Sequence, residues 1–223
     1  RRHFGVDRFV PVGYSYLGLM VVLYAMEHPD RVERVVQLGP VPRKYGTEYP
    51  AGLLHRDSAP LVDPAVTARL DSLEKSGWAR RHPRGFCEES RATAVRLVGD
   101  PARAAALPNP CDMPNEWPVN LERHFEHHFG GVQRLDVPQQ ALSRVRVPVL
   151  TIHGTWDRNA PYAAGREWAL TLPDARLITV ERAAHQVSID APQVVLPAID
   201  EFVAGRWPAG AQRVTSLERA PAR

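Results

Sequence analysis

Lysine is nearly absent from this chain. Of 28 basic residues among 223, only Lys44 and Lys75 are not arginine. The arginines are scattered among 25 acids, so net charge is only +3 and no basic block forms. Nucleic-acid binders carry a concentrated basic face or stripe, and none is seen, so no nucleic-acid partner is expected. Long apolar runs are also missing. None approaches the roughly 20 residues of a membrane span, and the opening RRHFGVDRFV holds no apolar stretch of secretory type. No membrane association is expected. The cysteines number two, Cys87 and Cys111, without CxxC or Cys/His zinc spacing. They are too few to staple a domain of this size, which points to a reducing, cytoplasmic compartment; whether they pair is left open. His124, His127 and His128 with Glu126 fall on a charged helical stretch lacking a fourth ligand. They read as a solvated face, and neither metal nor organic cofactor is expected.

What is present is an alternation of short apolar runs with helical patterns. RRHFG (1–5) reads as the end of a helix stopped by Gly5. RFVPVGY (8–14) reads as a buried strand, YLGLMVVLYAMEHP (16–29) as a helix, and VERVVQLGP (32–40) as a second strand. That order is the βαβ signature of a parallel sheet. Residues 41–143 are rich in proline, arginine and acids. They carry amphipathic pieces such as 66–81 and 121–129 but no convincing buried strand, and are expected to form a helical insertion. The sheet resumes with VRVPVLTIHG (145–154). A helix over 161–172, a strand over 175–181 and a helix over 191–205 follow. Pro192 is tolerated in the first turn of the last helix, whereas Pro197 falls inside it and is expected to kink it. The expected parts are therefore 1–40 and 144–206 as one α/β core, a parallel sheet flanked by helices, with 41–143 as a helical cap. Residues 207–223 read as a loose polar tail.

Three polar residues occupy strand ends. In Gly13-Tyr14-Ser15-Tyr16-Leu17-Gly18 a strand turns sharply into a helix, which would lift the Ser15 hydroxyl above the sheet edge. The amide of Tyr16 would then face any oxyanion formed there. A serine hydroxyl needs a base to take its proton and an acid to hold that base. HGTWDRNAP (153–161) supplies Asp157 after one strand, and ERAAHQVSID (181–190) supplies His185 after the next. All three would lie at the carboxyl edge of one sheet, where open α/β sheets bind ligands. The plainer readings are an N-cap serine for Ser15, a turn aspartate and a loop histidine. His153, nearer its strand, reads as a packing residue.

The segments VGYSYLGLMVVLYAMEHPDRVERVVQLGP, VPVLTIHGTWDRNAP and ARLITVERAAHQVSIDAPQVV resemble the nucleophile, acid and base blocks of the α/β-hydrolase family. Within it they are similar to the proline-iminopeptidase-like and esterase branch. The resemblance implies Ser15 as nucleophile, Asp157 as the orienting acid, His185 as general base and a helical cap over 41–143. The implied activity is a serine hydrolase acting on a small-molecule ester or peptide, either carboxylesterase or prolyl aminopeptidase. Cap carboxylates of proline-iminopeptidase-like enzymes hold a free amino group, which makes Glu88, Glu89 and Glu116 candidates, each with a solvent-facing alternative. Trp78 and Trp117 would line an apolar pocket, or else pack the cap.

Two departures qualify the resemblance. Leu17 stands where the family usually has the second glycine of G-x-S-x-G, and is expected to be absorbed by local shifts. The family also has strands, and a loop with a second oxyanion amide, ahead of the nucleophile strand. We therefore expect a preceding segment, removed or supplied by another chain, or edges paired in a homo-oligomer. The rival reading is a non-catalytic, inactive binding protein or fragment on the same scaffold. Leu17 favours it; the complete serine, aspartate and histidine set opposes it.

Overall fold

The computed structural model describes residues 1–54, 64–77, 85–108, 112, 123, 124, 127 and 129–218, the backbone alone at 66, 67, 70, 74, 86, 88 and 89. Among them the sheet has four strands: β1 (Val12–Tyr14), β2 (Val35–Leu38), β3 (Val149–Gly154) and β4 (Ala175–Val180). They pair in that order, and every pairing is parallel. The helices are α1 (Tyr16–Glu27), α2 (Pro64–Ser76), α3 (Gly85–Thr93), α4 (Tyr162–Thr171), α5 (Val187–Asp190) and α6 (Pro192–Val203). Short 3-10 turns cover Ala94–Arg96, Pro101–Ala106 and Gln139–Arg144. The fold is α/β, a parallel sheet flanked by helices.

β2 and β3 are mostly apolar because both strands are buried along their whole length, and two of their buried polar side chains pair, Thr151 Oγ1 donating to Gln37 Oε1 at 2.8 Å. Val35 and Val149 face Leu19, Val22, Ala25 and Met26 of α1 and Trp168 of α4. Val36, Leu150 and Ile152 face Val195, Ala198 and Phe202 of α6 on the opposite side. Each fully buried valine or leucine contributes about 1.5–3 kcal/mol. This sandwich therefore holds the strand ends in fixed register.

Element ends depart from expectation for local reasons. The expected strand over 8–14 pairs only at a Phe9–Val32 bridge and at Val12–Tyr14. Between them Pro11 has no N–H to give, though its carbonyl accepts from the Val36 amide at 3.0 Å. RRHFG forms a turn rather than a helix end, closed by the Gly5 amide on the Arg2 carbonyl at 3.2 Å. Helix α6 runs through Pro197 without interruption. Residues 207–218, read as a loose tail, are bonded to the core. Gln212 and Leu177 exchange two backbone bonds of 2.9 Å, and Arg166 of α4 donates to the carbonyls of Ser216, Leu217 and Glu218.

Residues 41–49 are tied to α4. Arg43 Nε donates to Glu167 Oε1 at 2.8 Å, Tyr49 Oη donates to Oε2 at 2.6 Å, and Trp168 Nε1 donates to the Val41 carbonyl at 2.8 Å. Cys87, on α3, is a buried free cysteine; Cys111 lies outside the described residues. Among the described residues no helix is long and apolar enough to cross a membrane.

Candidate active site

The carboxyl ends of the four strands all open onto one rim. Ser15 follows β1 directly and adopts φ 57°, ψ −126°. A side chain in that region of backbone space costs on the order of 1–3 kcal/mol and persists only where the surroundings enforce it. Here they do. The Ser15 amide donates to the Leu38 carbonyl at 2.9 Å, and its own carbonyl accepts from the Gly18 amide at 2.9 Å. Gly13 lets α1 start this close: a Cβ there would lie 2.3 Å from the Leu17 carbonyl oxygen. The Leu17 side chain is itself 45% exposed. It therefore needs no packing accommodation, which corrects the expectation of local shifts. As the first residue of α1, Tyr16 has no intrahelical acceptor for its N–H.

Asp157, three residues beyond β3, is buried. Its Oδ1 accepts from the amides of Asn159 and Ala160 at 2.9 Å each. Its Oδ2 accepts from His185 Nδ1 at 2.7 Å. On the other edge of the imidazole, Nε2 accepts from Ser15 Oγ at 3.0 Å. A hydroxyl, an imidazole and a carboxylate separated by 170 and 28 residues thus form one hydrogen-bonded row. Burial by itself would raise the Asp157 carboxyl. The facing charge of His185 and the hydrogen bonds from His153 and His185 outweigh it and hold the group well below the usual carboxylate range. The Tyr14 ring lies against His185, centroids 4.8 Å apart. Burial, then the Asp157 charge, pushes the Tyr14 phenol far above its ordinary value, so it stays protonated.

The loop carrying His185 is pinned on both sides. The Arg182 amide donates to Thr155 Oγ1 at 3.0 Å, and the Ala184 amide donates to Asp190 Oδ2 at 2.7 Å. The same Asp190 carboxylate accepts from the Gly99 amide at 2.8 Å, and the Gln186 amide donates to the Leu97 carbonyl at 2.8 Å. The segment around residues 97–99 is therefore fastened to the loop that carries His185. His124 stacks on the Tyr16 ring at 5.2 Å and Phe129 meets it edge-on at 5.7 Å, so part of the region 41–143 covers the elbow.

The remaining sequence candidates fare differently. Glu88 and Glu89 lie on α3, where only the backbone is described. Glu116, Trp117 and Trp78 lie outside the described residues, as do Glu126 and His128. Among the described residues no group of three histidine, cysteine, aspartate or glutamate side chains could hold a metal ion. Sequence reasoning missed Gly39 and read His153 as packing alone. Gly39, just after β2, has φ 51°, and a Cβ on it would lie 3.2 Å from Asp157 Oδ2 and 3.4 Å from His185 Nδ1. A glycine ending a buried strand was its one signal. His153 is fully buried and directs Nε2 at Asp157 Oδ2, 3.2 Å away.

The chain resembles known proteins in sequence and in fold. A sequence model of the alpha/beta hydrolase fold family matches residues 1–192. The pimeloyl-(acyl-carrier protein) methyl ester esterase of Aromatoleum aromaticum is 29% identical over 214 residues, covering 89% of this chain and 75% of its own length. A putative carbamate hydrolase of a Caulobacter species is 23% identical over 217 residues, covering 90% of this chain and 67% of that relative. A solved serine hydrolase from the hydrocarbon-degrading bacterium Cycloclasticus zankles superposes with a TM-score of 0.62 at 17% identity. That likeness is one of fold. It covers 91% of this chain, which spans 66% of the length of the solved one.

Proposed function

The chain belongs to the alpha/beta hydrolase fold family, and on that premise we propose that it is a serine hydrolase cleaving carboxylic esters through Ser15, His185 and Asp157. The observation that carries the reading is the row from Ser15 Oγ to His185 Nε2 at 3.0 Å and from His185 Nδ1 to Asp157 Oδ2 at 2.7 Å. Its nucleophile stands on strained backbone, the kind of outlier from which function is inferred.

Ser15 Oγ attacks the ester carbonyl as its proton passes to His185 Nε2. Asp157 holds the imidazole by Nδ1 and stabilises the cation that forms. The tetrahedral oxyanion is met by the Tyr16 amide; one such donor is worth roughly 100- to 1,000-fold in rate. The C–O bond of the leaving group then breaks and the alcohol departs with the proton from Nε2. Water, deprotonated by His185, attacks the acyl-serine in the same manner. The carboxylic acid leaves, and the proton returns to Ser15.

Two named relatives, one acting on a methyl ester and the other a putative carbamate hydrolase, support ester-like carbonyl chemistry. The prolyl aminopeptidase reading would set Glu88, Glu89 or Glu116 against a substrate amino group, with Trp78 or Trp117 lining an apolar pocket. One experiment separates the readings: turnover of p-nitrophenyl acetate against prolyl p-nitroanilide, with labelling by a fluorophosphonate. Ester turnover and labelling, both lost in Ser15→Ala, are expected. Labelling that survives Ser15→Ala would sink the proposal, and turnover of the anilide alone would favour the peptidase.

A further inference from the structure

Every acceptor position of Asp157 is occupied, and one donor has no part in the row of three. Oδ1 is fixed by two backbone amides. Oδ2, the oxygen that meets His185, has no backbone donor among the described residues. Its second partner is His153 Nε2 at 3.2 Å, which also approaches the Ala160 carbonyl at 3.0 Å. Both neighbours are acceptors, so the His153 hydrogen belongs on Nε2 and is shared between them. Resting on the reading of Asp157 as the acid of the site, we propose that His153 is a positioning residue, whose Nε2–H holds the Asp157 carboxylate in the orientation that presents Oδ2 to His185.

Packing supports this assignment. The ring cannot turn: a Cβ on Gly165 of α4 would lie 2.4 Å from His153 Nδ1, and the Tyr162 ring stands edge-on at 6.0 Å. The side chain is wholly buried, and Nδ1 has no hydrogen-bond partner among the described residues. An orphaned buried acceptor costs about 1–3 kcal/mol. Leucine or phenylalanine would fill this space without that cost, so a packing role alone does not account for an imidazole here. A donor aimed at Oδ2 does. The titratable groups around the carboxylate are then His185 from the loop after β4, His153 from β3 itself and Tyr14 from β1, whose phenol stays protonated.

The second donor divides the charge of Oδ2 between two hydrogen bonds. Without it, Oδ2 presents more charge to His185 and stabilises the imidazolium more strongly. In His153→Phe the acid limb of the kcat/KM profile for a p-nitrophenyl ester should move up by about half to one pH unit, with a plateau about 10-fold lower. His153→Gln, which restores an N–H donor, should bring the limb back. A folded His153→Phe protein whose limb stays in place, its rate falling only in step with its melting temperature, overturns the proposal. Nitrogen-15 NMR of the wild-type protein tests it independently of how the variants fold. A proton on Nε2 is expected, and a proton on Nδ1 overturns the assignment. Ser15→Ala is assayed in parallel. If it retains turnover and fluorophosphonate labelling, the underlying reading of the site falls, separately from the role of His153.

Discussion

The α-carbon of Gly39 stands so close to Asp157 that a methyl group placed on it would lie 3.2 Å from the carboxylate oxygen Oδ2. Gly39 also has φ 51°, so alanine would meet both backbone strain and a crowded neighbour. Gly39→Ala should cost about 1–2 kcal/mol of stability and lower kcat/KM for a p-nitrophenyl ester about 10- to 100-fold. Chemical denaturation and steady-state kinetics on one preparation read both. Wild-type kinetics in the variant would show that the carboxylate tolerates displacement.

Ser15 also has positive φ, and there the strain belongs to the proposed nucleophile. Ser15→Gly removes the strain and the nucleophile together. The variant should melt higher, by the equivalent of about 1 kcal/mol, while ester turnover falls by at least about 1,000-fold. A lower melting temperature would mean that the serine hydroxyl stabilises the elbow more than its backbone strains it.

Asp157 predicts how stability responds to acid. Its carboxyl is held low in the folded protein, by His185 and His153 against the cost of burial. A depressed folded-state value stabilises the fold in full above the unfolded value, near 3.9. That contribution disappears as pH falls from there through the folded-state value. Asp157→Asn has no such titration. Urea midpoints measured between about pH 5 and pH 2 should therefore fall less steeply for the variant. Parallel curves would contradict the depressed carboxyl.

Arg43 and Glu167 bind the loop after β2 to α4, with Tyr49 on the second oxygen of Glu167. Burial, followed by Glu167, pushes the Tyr49 phenol far up, so it remains a donor. Arg43→Met strands a largely buried carboxylate and should cost about 2–4 kcal/mol. Glu167→Leu should cost about as much, and the double variant less than the sum. Additive losses would mean that the pair is uncoupled.

Much of this was readable in advance because it rests on short-range pattern. Mostly apolar runs mark β2 and β3, which are buried from end to end. Placing Ser15, Asp157 and His185 just past such runs sufficed to bring them to one rim. Less readable was anything that depends on how a loop folds back. Asp157 reaches His153, four residues earlier, only because the turn through Asn159 and Ala160 closes on Oδ1. Gly39 mattered because of a side chain more than a hundred positions away. The polar stretch around residue 216 looked uncommitted, since what fastens it is its own carbonyls, received by Arg166, and carbonyls leave no trace in composition.

The carboxylate of Asp190 has one further consequence. By gripping the amides of Gly99 and Ala184 together, it makes the segment around residues 97–99 and the loop that carries His185 two arms of one lever. Substitutions on the outer arm will alter turnover without ever touching a substrate.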